Sequence, residues 1–374
     1  MRYPPAIAAT HYASRQRGSR AGCHTIDWVT RKMNVELTNE QLQLQSAAAR
    51  VAANIAAADR SDGSNVDRFW DQLVDIGVPA LRLPALCDKV ASGVETAIVI
   101  EQFGKRVCPV PVLGQAVLAT ELLDAAEARQ ELALVADGSL RLAPVLSPNL
   151  SGFGSWDSPG VAFDTAGATH LLSTATSDGW RSLARVPSGG TLIGLDRTRE
   201  LRTAPGHADS DVTLIGKPIS PRRWQRVEAV ALIAAAADLV GVMQGALDDA
   251  VQHVRECRQS SMLGTSTANE YSLADSLFRV EGARSCLWHA AWAIDHLAAE
   301  EAFLAAMTAK AYASEAGRDV VETAMEITAE QAISGKRASH LRVRRMLLDR
   351  RLFGDESIQY ESIATTRLAC DEPA

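Results

Sequence analysis

The order of hydrophobic periods along the chain constrains its fold more than any single motif does. A helical apolar period comes first, a run of short apolar segments follows, and a helical period then returns almost to the end. In the first block, Thr38 and Gln41 have the spacing of a capping box, and Leu42, Leu44, Ala48, Val51, Ala52 and Ile55 then supply one helical face. Further helices are predicted near 67–76, stopping at Gly77, at 93–103, stopping at Gly104, and at 112–123. Between Gly138 and Ser220 the apolar runs shorten and are punctuated by Gly, Pro, Asp, Ser and Thr, the pattern of an antiparallel β domain. Helices are then expected at 221–257, at 267–299 behind a Thr267–Glu270 capping pair, at 301–326 and at 339–352. The expected fold is α+β: an N-terminal helical domain (33–136), a middle antiparallel β domain (137–220) and a C-terminal four-helix bundle (221–374). No βαβ alternation occurs and no G-x-G-x-x-G opens a helix, which excludes a dinucleotide-binding doubly wound sheet.

Composition narrows the function classes. With 374 residues, 47% hydrophobic and 22% charged, the chain has material for a large core and no signature of general disorder. A formal charge of −7 argues against a nucleic-acid-coating protein, because phosphate contacts need a surplus of Lys and Arg. No uncharged apolar run reaches the ~18 residues of a membrane span. The six cysteines are scattered without C-x-x-C, which reads as reduced thiols of a cytoplasmic protein and excludes a zinc ribbon. Residues 1–32 mix Arg, Ser, Gly and His without an apolar period and read as a disordered extension, with Met33 as the true start.

The domain order resembles the acyl-CoA dehydrogenase family, and four segments in sequence carry the resemblance. The segment from Leu239 to Asp248 is similar to the Gly-containing helix that opens the family's bundle; Leu273-Ala-Asp and the helix carrying Trp292 match the next. The stretch Ala309-Lys-Ala-Tyr-Ala-Ser-Glu-Ala resembles the Ala-Lys signature of the third helix, and Leu352-Phe-Gly-Asp after Arg344-Arg345 resembles the closing segment of an actinobacterial branch. The resemblance implies non-covalent FAD and desaturation of an acyl-CoA thioester: a carboxylate removes the α proton while the flavin takes hydride from Cβ.

Against that pattern the chain departs at the site. The family's usual base falls at Gly354, with Asp355 one residue away; a second known location for the base falls at Ala231, with Glu228 three residues earlier on the same helical face. Glu228 and Asp355 are therefore the candidate bases. The nucleotide loop is matched by Arg255, Arg258, Gln259 and Gly264; Arg258, Gln259 and Gly354 are the candidate cofactor contacts, an Arg fork suiting phosphate oxygens. A Gln-x-x-Gly-Gly that would approach the adenosine pyrophosphate is replaced by Glu326-Ile-Thr-Ala329-Glu330, and Ala143 to Pro148 stands where the family turns a Thr-Glu-Pro strand toward the flavin. No metal site is expected: His289 and His296 share a helix face without a nearby acid, and His207 to Asp211 has the composition of a solvated turn. The basic run from Lys336 to Arg351 reads as a solvated face or subunit contact before a nucleotide site. The leading expectation is the subunit of a heterotetramer that lacks the catalytic Glu, paired with a homologous subunit and serving an acyl-CoA, with a steroid side-chain ester as one substrate. A self-sufficient homotetramer and a flavin-free scaffold on the same fold are the alternatives.

Overall fold

A computed structural model describes residues 36–57, 65–83, 92–206, 212–259, 267–329 and 338–369. The expected N-terminal extension lies outside these residues. The first part is helical: α1 (Asn39–Ala57), α2 (Asn65–Asp75), α3 (Gly93–Lys105), α4 (Ala119–Ala125) and α5 (Arg129–Ala136). The capping box of α1 forms as its spacing requires, with Gln41 N–H donating to Thr38 Oγ1 at 3.2 Å and Thr38 N–H to Gln41 Oε1 at 3.0 Å. A second box starts α3, where Ser92 N–H donates to Glu95 Oε2 at 2.6 Å, and Asp295 from a distant helix accepts from Gly93 N–H at 2.6 Å. Residues Val112–Leu118 form a wide π turn leading into α4, with Ala116 N–H donating back five residues to Pro111 O. All seven of those residues are buried. Helix α5 has no counterpart in the sequence reading.

The middle part, over its described residues, is one seven-stranded sheet: β1 (Leu142–Leu146), β2 (Gly160–Phe163), β3 (His170–Ser177), β4 (Trp180–Val186), β5 (Thr191–Leu192), β6 (Leu201–Ala204) and β7 (Thr213–Ile219), in the order β5-β6-β2-β1-β3-β4-β7. Each of these pairs is antiparallel except β1 with β3, so the expected antiparallel domain is a mixed sheet. The parallel pair arises because the chain leaves β1, pairs β2 on one side, and returns to place β3 on the other.

Among the described residues, the C-terminal part holds five helices rather than four: α6 (Pro221–Gln259), α7 (Thr267–His296), α8 (Ala299–Ile327), α9 (Ala338–Arg351) and α10 (Glu356–Ala369). Helix α6 spans 39 residues, about 58 Å at ~1.5 Å per residue, and it packs against α3, α7, α8 and α9. By length and composition a stretch of it, interrupted by Asp238, could cross a membrane, but almost all of that stretch is buried inside the protein, so it is the core helix. Its crossing with α3 is set by glycine. A Cβ on Gly241 would come within 2.3 Å of Glu101 O, and one on Gly104 within 2.5 Å of Asp238 Oδ1. Only hydrogen at both positions lets the two backbones approach this closely.

Candidate functional site

The segment that the resemblance assigns to the base is a tight turn between α9 and α10. Helix α9 ends where Phe353 (φ 58°) and Gly354 (φ 89°) take left-handed backbone one after the other. Glycine adopts this freely, whereas a bulky Phe is held there only by surrounding contacts. Those contacts are specific. Phe353 N–H donates to Leu150 O at 2.7 Å, Gln359 Nε2 to Phe353 O at 2.6 Å, and Lys310 Nζ to Gly354 O at 2.9 Å. Lys310 is fully buried on α8 and also donates to Ser314 Oγ at 2.8 Å and Arg350 O at 2.9 Å. Three acceptors complement the three N–H groups of an ammonium, while burial pushes its pKa down to about 7. Gly354 is thus a turn former whose carbonyl Lys310 holds; an added Cβ would meet Gln359 Nε2 and Ile358 Cγ2 at 2.9 Å.

Asp355 caps α10. Its carbonyl accepts from Gln359 N–H at 3.0 Å, its carboxylate from Ile358 N–H at 3.4 Å, and Arg351 Nη1 pairs with it at 3.0 Å. A carboxylate tied to a cap and a guanidinium is poorly placed to take a proton from carbon. Glu228 has a different setting. It lies half-buried on α6, one turn beyond Trp224, and burial raises its carboxyl above the usual range, with the Arg181 guanidinium opposing. Ala231 is fully buried. Among the described residues, no hydrogen bond or ion pair joins Glu228 to Asp355.

Opposite the turn stands the loop after β1, the segment that the resemblance turns toward the flavin. Ser147 N–H donates to Gly152 O at 2.9 Å, closing the loop and presenting Leu150 and Phe153 to the bundle. The Phe153 ring lies 5.2 Å from Phe353 and 5.2 Å from Trp224, and the Arg181 guanidinium lies over the Trp224 ring at 4.7 Å. The two walls therefore touch through one backbone hydrogen bond and one ring contact.

A second polar centre has no counterpart in the sequence reading. Arg199, from the connection between β5 and β6, donates through Nη1 to both oxygens of Asp164 at 2.8 and 2.7 Å and through Nη2 to Asp238 on α6. Arg345, on α9, reaches Asp196 at 2.6 Å, Asp238 at 3.1 Å and Cys108 O at 3.1 Å, and it donates to Thr198 Oγ1. Gly114 N–H adds a bond to Asp164 at 2.9 Å. Burial works to raise the Asp238 pKa, but the two guanidiniums overcome it and hold it at about 2. Burial and the neighbouring Asp238 charge push Asp349 well above the carboxylate range, with the Arg199 and Arg345 guanidiniums opposing. The network takes side chains or backbone from all three parts of the chain and welds them together. Arg345 and Arg342 correct the reading of the basic run as a solvated face. Arg342 is buried too, bonded to Asp249 at 2.9 Å and Lys105 O at 2.7 Å.

The candidate nucleotide contacts lie apart from this. Arg258 is exposed near the end of α6 and pairs with Glu270 of α7; Gln259 is the last residue of α6, and Gly264 lies outside the described residues. His296 stacks on Trp292 at 4.8 Å with its Nδ1 2.8 Å from Trp292 O, and no group of His, Cys, Asp or Glu among the described residues could hold a metal. The loop from His207 to Asp211 is outside them.

Residues 230–368 match the family model described as acyl-CoA dehydrogenase, C-terminal domain. No curated protein matches. Among solved structures, a variant of the Tcur3481-Tcur3483 steroid ACAD is similar at 23% identity over 88% of this chain and 98% of that one, with a TM-score of 0.72. Butyryl-CoA dehydrogenase from Megasphaera elsdenii is similar at 16% identity, covering 90% of this chain and 100% of that one, with a TM-score of 0.73. The ChsE4-ChsE5 complex from Mycobacterium tuberculosis is similar at 19% identity, covering 91% and 100%, with a TM-score of 0.72.

Proposed function

We propose, for a chain whose residues 230–368 carry the acyl-CoA dehydrogenase C-terminal domain and whose described body has that family's fold, that it is the subunit of an FAD-dependent acyl-CoA dehydrogenase heterotetramer that lacks the catalytic base. The observation behind the proposal is the closed contact between Phe353 and the Leu150–Phe153 loop, together with the tethering of Asp355 to Arg351. A dehydrogenase needs a free carboxylate in a dry pocket beside the thioester, and Asp355, the acid beside the turn, is tied to Arg351 and to the start of α10.

The desaturation then belongs to a homologous partner subunit, where bound FAD supplies the hydride acceptor. What this chain brings is the fold, a rigid joint between its parts, and Arg258. The guanidinium near the end of α6 is exposed and paired with Glu270 of α7, and its fork of donors would suit phosphate oxygens. Likeness to a steroid ACAD pair supports a steroid side-chain CoA ester as substrate. A second reading has one observation in its favour: the raised proton affinity of Glu228 suits a general base, as a self-sufficient enzyme would require.

Visible flavin absorbance of the chain purified alone, and of the chain co-expressed with a homologous subunit, separates these readings. Flavin only in the complex, one for each pair of subunits, is the expected result. Flavin on the chain alone, with turnover abolished in Glu228→Gln, would establish the self-sufficient enzyme, and no flavin in either sample would leave a scaffold.

A further inference from the structure

We propose that the outward face of α7 is a self-complementary seam, on which α7 of a second copy of this chain lies antiparallel about a two-fold axis at the level of Ala283. Helix α7 is apolar on two sides. Val280, Ala283, Leu287, Ala290 and Ile294 are buried within the chain, as one stripe of a core-facing helix should be. At about 100° per residue, the opposite stripe carries Tyr271, Ala274, Leu277, Phe278, Trp288 and Trp292. Tyr271 is 74% exposed, Phe278 76% and Leu277 49%, and the two tryptophans are half-buried. Along that strip between Ala274 and Trp292 the one formal charge is Glu281, and Arg284 pairs with it. Single apolar residues scattered on a surface need no explanation, but a contiguous aromatic strip marks a contact face.

The order of residues along the strip identifies the occupant. Turning a second α7 end for end, about an axis between Glu281 and Ser285, sets Phe278 on Trp288, Ala274 on Trp292 and Leu277 on His289. At the ends Glu270 meets His296 and Tyr271 meets Asp295. These pairings are complementary: ring on ring, small against large, acid against imidazole, hydroxyl against carboxylate. A parallel copy would instead set Glu281 on Glu281 and align the two helix dipoles side by side. His296 and His289 already stack with Trp292, at ring-centroid distances of 4.8 and 6.3 Å, so one half of the strip is a preformed flat surface. From Glu270 to His296 the strip is about 40 Å long at ~1.5 Å per residue and ~10 Å wide, which gives about 800 Å² for two copies. That is the small end for a specific contact, so the seam is a reversible one with micromolar affinity. It does not rest on the proposed function, and it states which chain stands on the two-fold axis of a heteromer.

The test is sedimentation velocity of the full-length chain across micromolar concentrations. Phe278→Glu alters the seam, and Leu214→Glu, at an exposed leucine of β7, is the control. Wild type and Leu214→Glu are expected to associate reversibly into a dimer. Phe278→Glu is expected to weaken that association about tenfold or more, because it sets a carboxylate against Trp288. A wild type that stays monomeric, equal association by all three proteins, or equal loss in both variants overturns the seam. Should Phe278→Glu not fold, Ala274→Glu, also on the exposed strip, is read in the same way. Should the chain be insoluble alone, the complex co-expressed with a homologous subunit is weighed by light scattering. Phe278→Glu is then expected to halve its mass and to leave the flavin per pair of subunits as in wild type. An unchanged mass overturns the seam, and so does a variant that loses the homologous subunit, because the face then belongs to that subunit. Flavin on the chain alone would sink the base-less reading and leave the seam standing.

Discussion

Two arginine-bearing regions of this molecule look alike in sequence and behave in opposite ways. At the joint of the three parts, Arg199 and Arg345 are buried among Asp164, Asp196 and Asp238, with each guanidinium bonded to two carboxylates. At the end of α6, Arg258 is 56% exposed and pairs with Glu270. The first set is architecture, because a buried guanidinium cannot be spared without stranding its carboxylates. The second is free to meet another molecule, because an exposed ion pair in water leaves most of its donors available. The lesson is that a basic run in sequence is no evidence for a nucleotide site until burial is known.

The largest break in that contrast comes from Arg345→Met. It leaves Asp196 and Asp238 buried without one of their guanidiniums, and stability should fall by about 3–5 kcal/mol in a urea titration. A loss below about 1 kcal/mol would mean that the joint is wetter or looser than its geometry shows.

An intermediate effect is expected from pH. The folded-state pKa of Asp349 is raised above its ordinary value, so its contribution is fully present below the unfolded pKa of about 4 and is lost as pH rises toward the folded value. Asp238 runs the other way: its folded pKa is lowered to about 2, so its contribution is present above the unfolded value and lost as pH falls toward about 2. Asp349→Asn keeps the shape, removes the titration and should flatten the decline that sets in as pH rises above about 4, followed by thermal denaturation across the pH range. An unchanged slope there would show that Asp349 does not have a raised pKa in the folded protein.

The smallest expected effect on stability is at Arg258. Arg258→Ala should stay within about 0.5 kcal/mol of wild type in the same titration, since an exposed ion pair is worth little. The complex with the homologous subunit should nevertheless lose flavin more readily on dilution. A complex that retains flavin as wild type does would remove Arg258 from the nucleotide site.

Much of the fold was legible because its signals are local. The Thr38–Gln41 box, the stops at Gly77 and Gly104 and the apolar period of α6 each act within a few residues, and the structure places helix ends close to them. Helices α5 and α10 escaped because both are short and carry mixed faces, so their apolar period does not stand out from a loop. The parallel pairing of β1 with β3 escaped because strand direction is a property of the whole sheet. At the candidate site, the burial of Arg199 and Arg345 among Asp164, Asp196 and Asp238 left no local signal, because these residues are far apart along the chain.

The sequence by itself determined the architecture: helices, sheet, helices, with Gly77 and Gly104 marking helix ends. Tertiary structure alone decided that Arg345 faces Asp196, that burial raises the proton affinity of Asp349 while two guanidiniums lower that of Asp238, and that Phe353 packs against Phe153. The physical reason is range. Period and capping act over three or four residues along the chain, whereas burial, ion pairing and ring packing join residues brought together from distant parts of the chain.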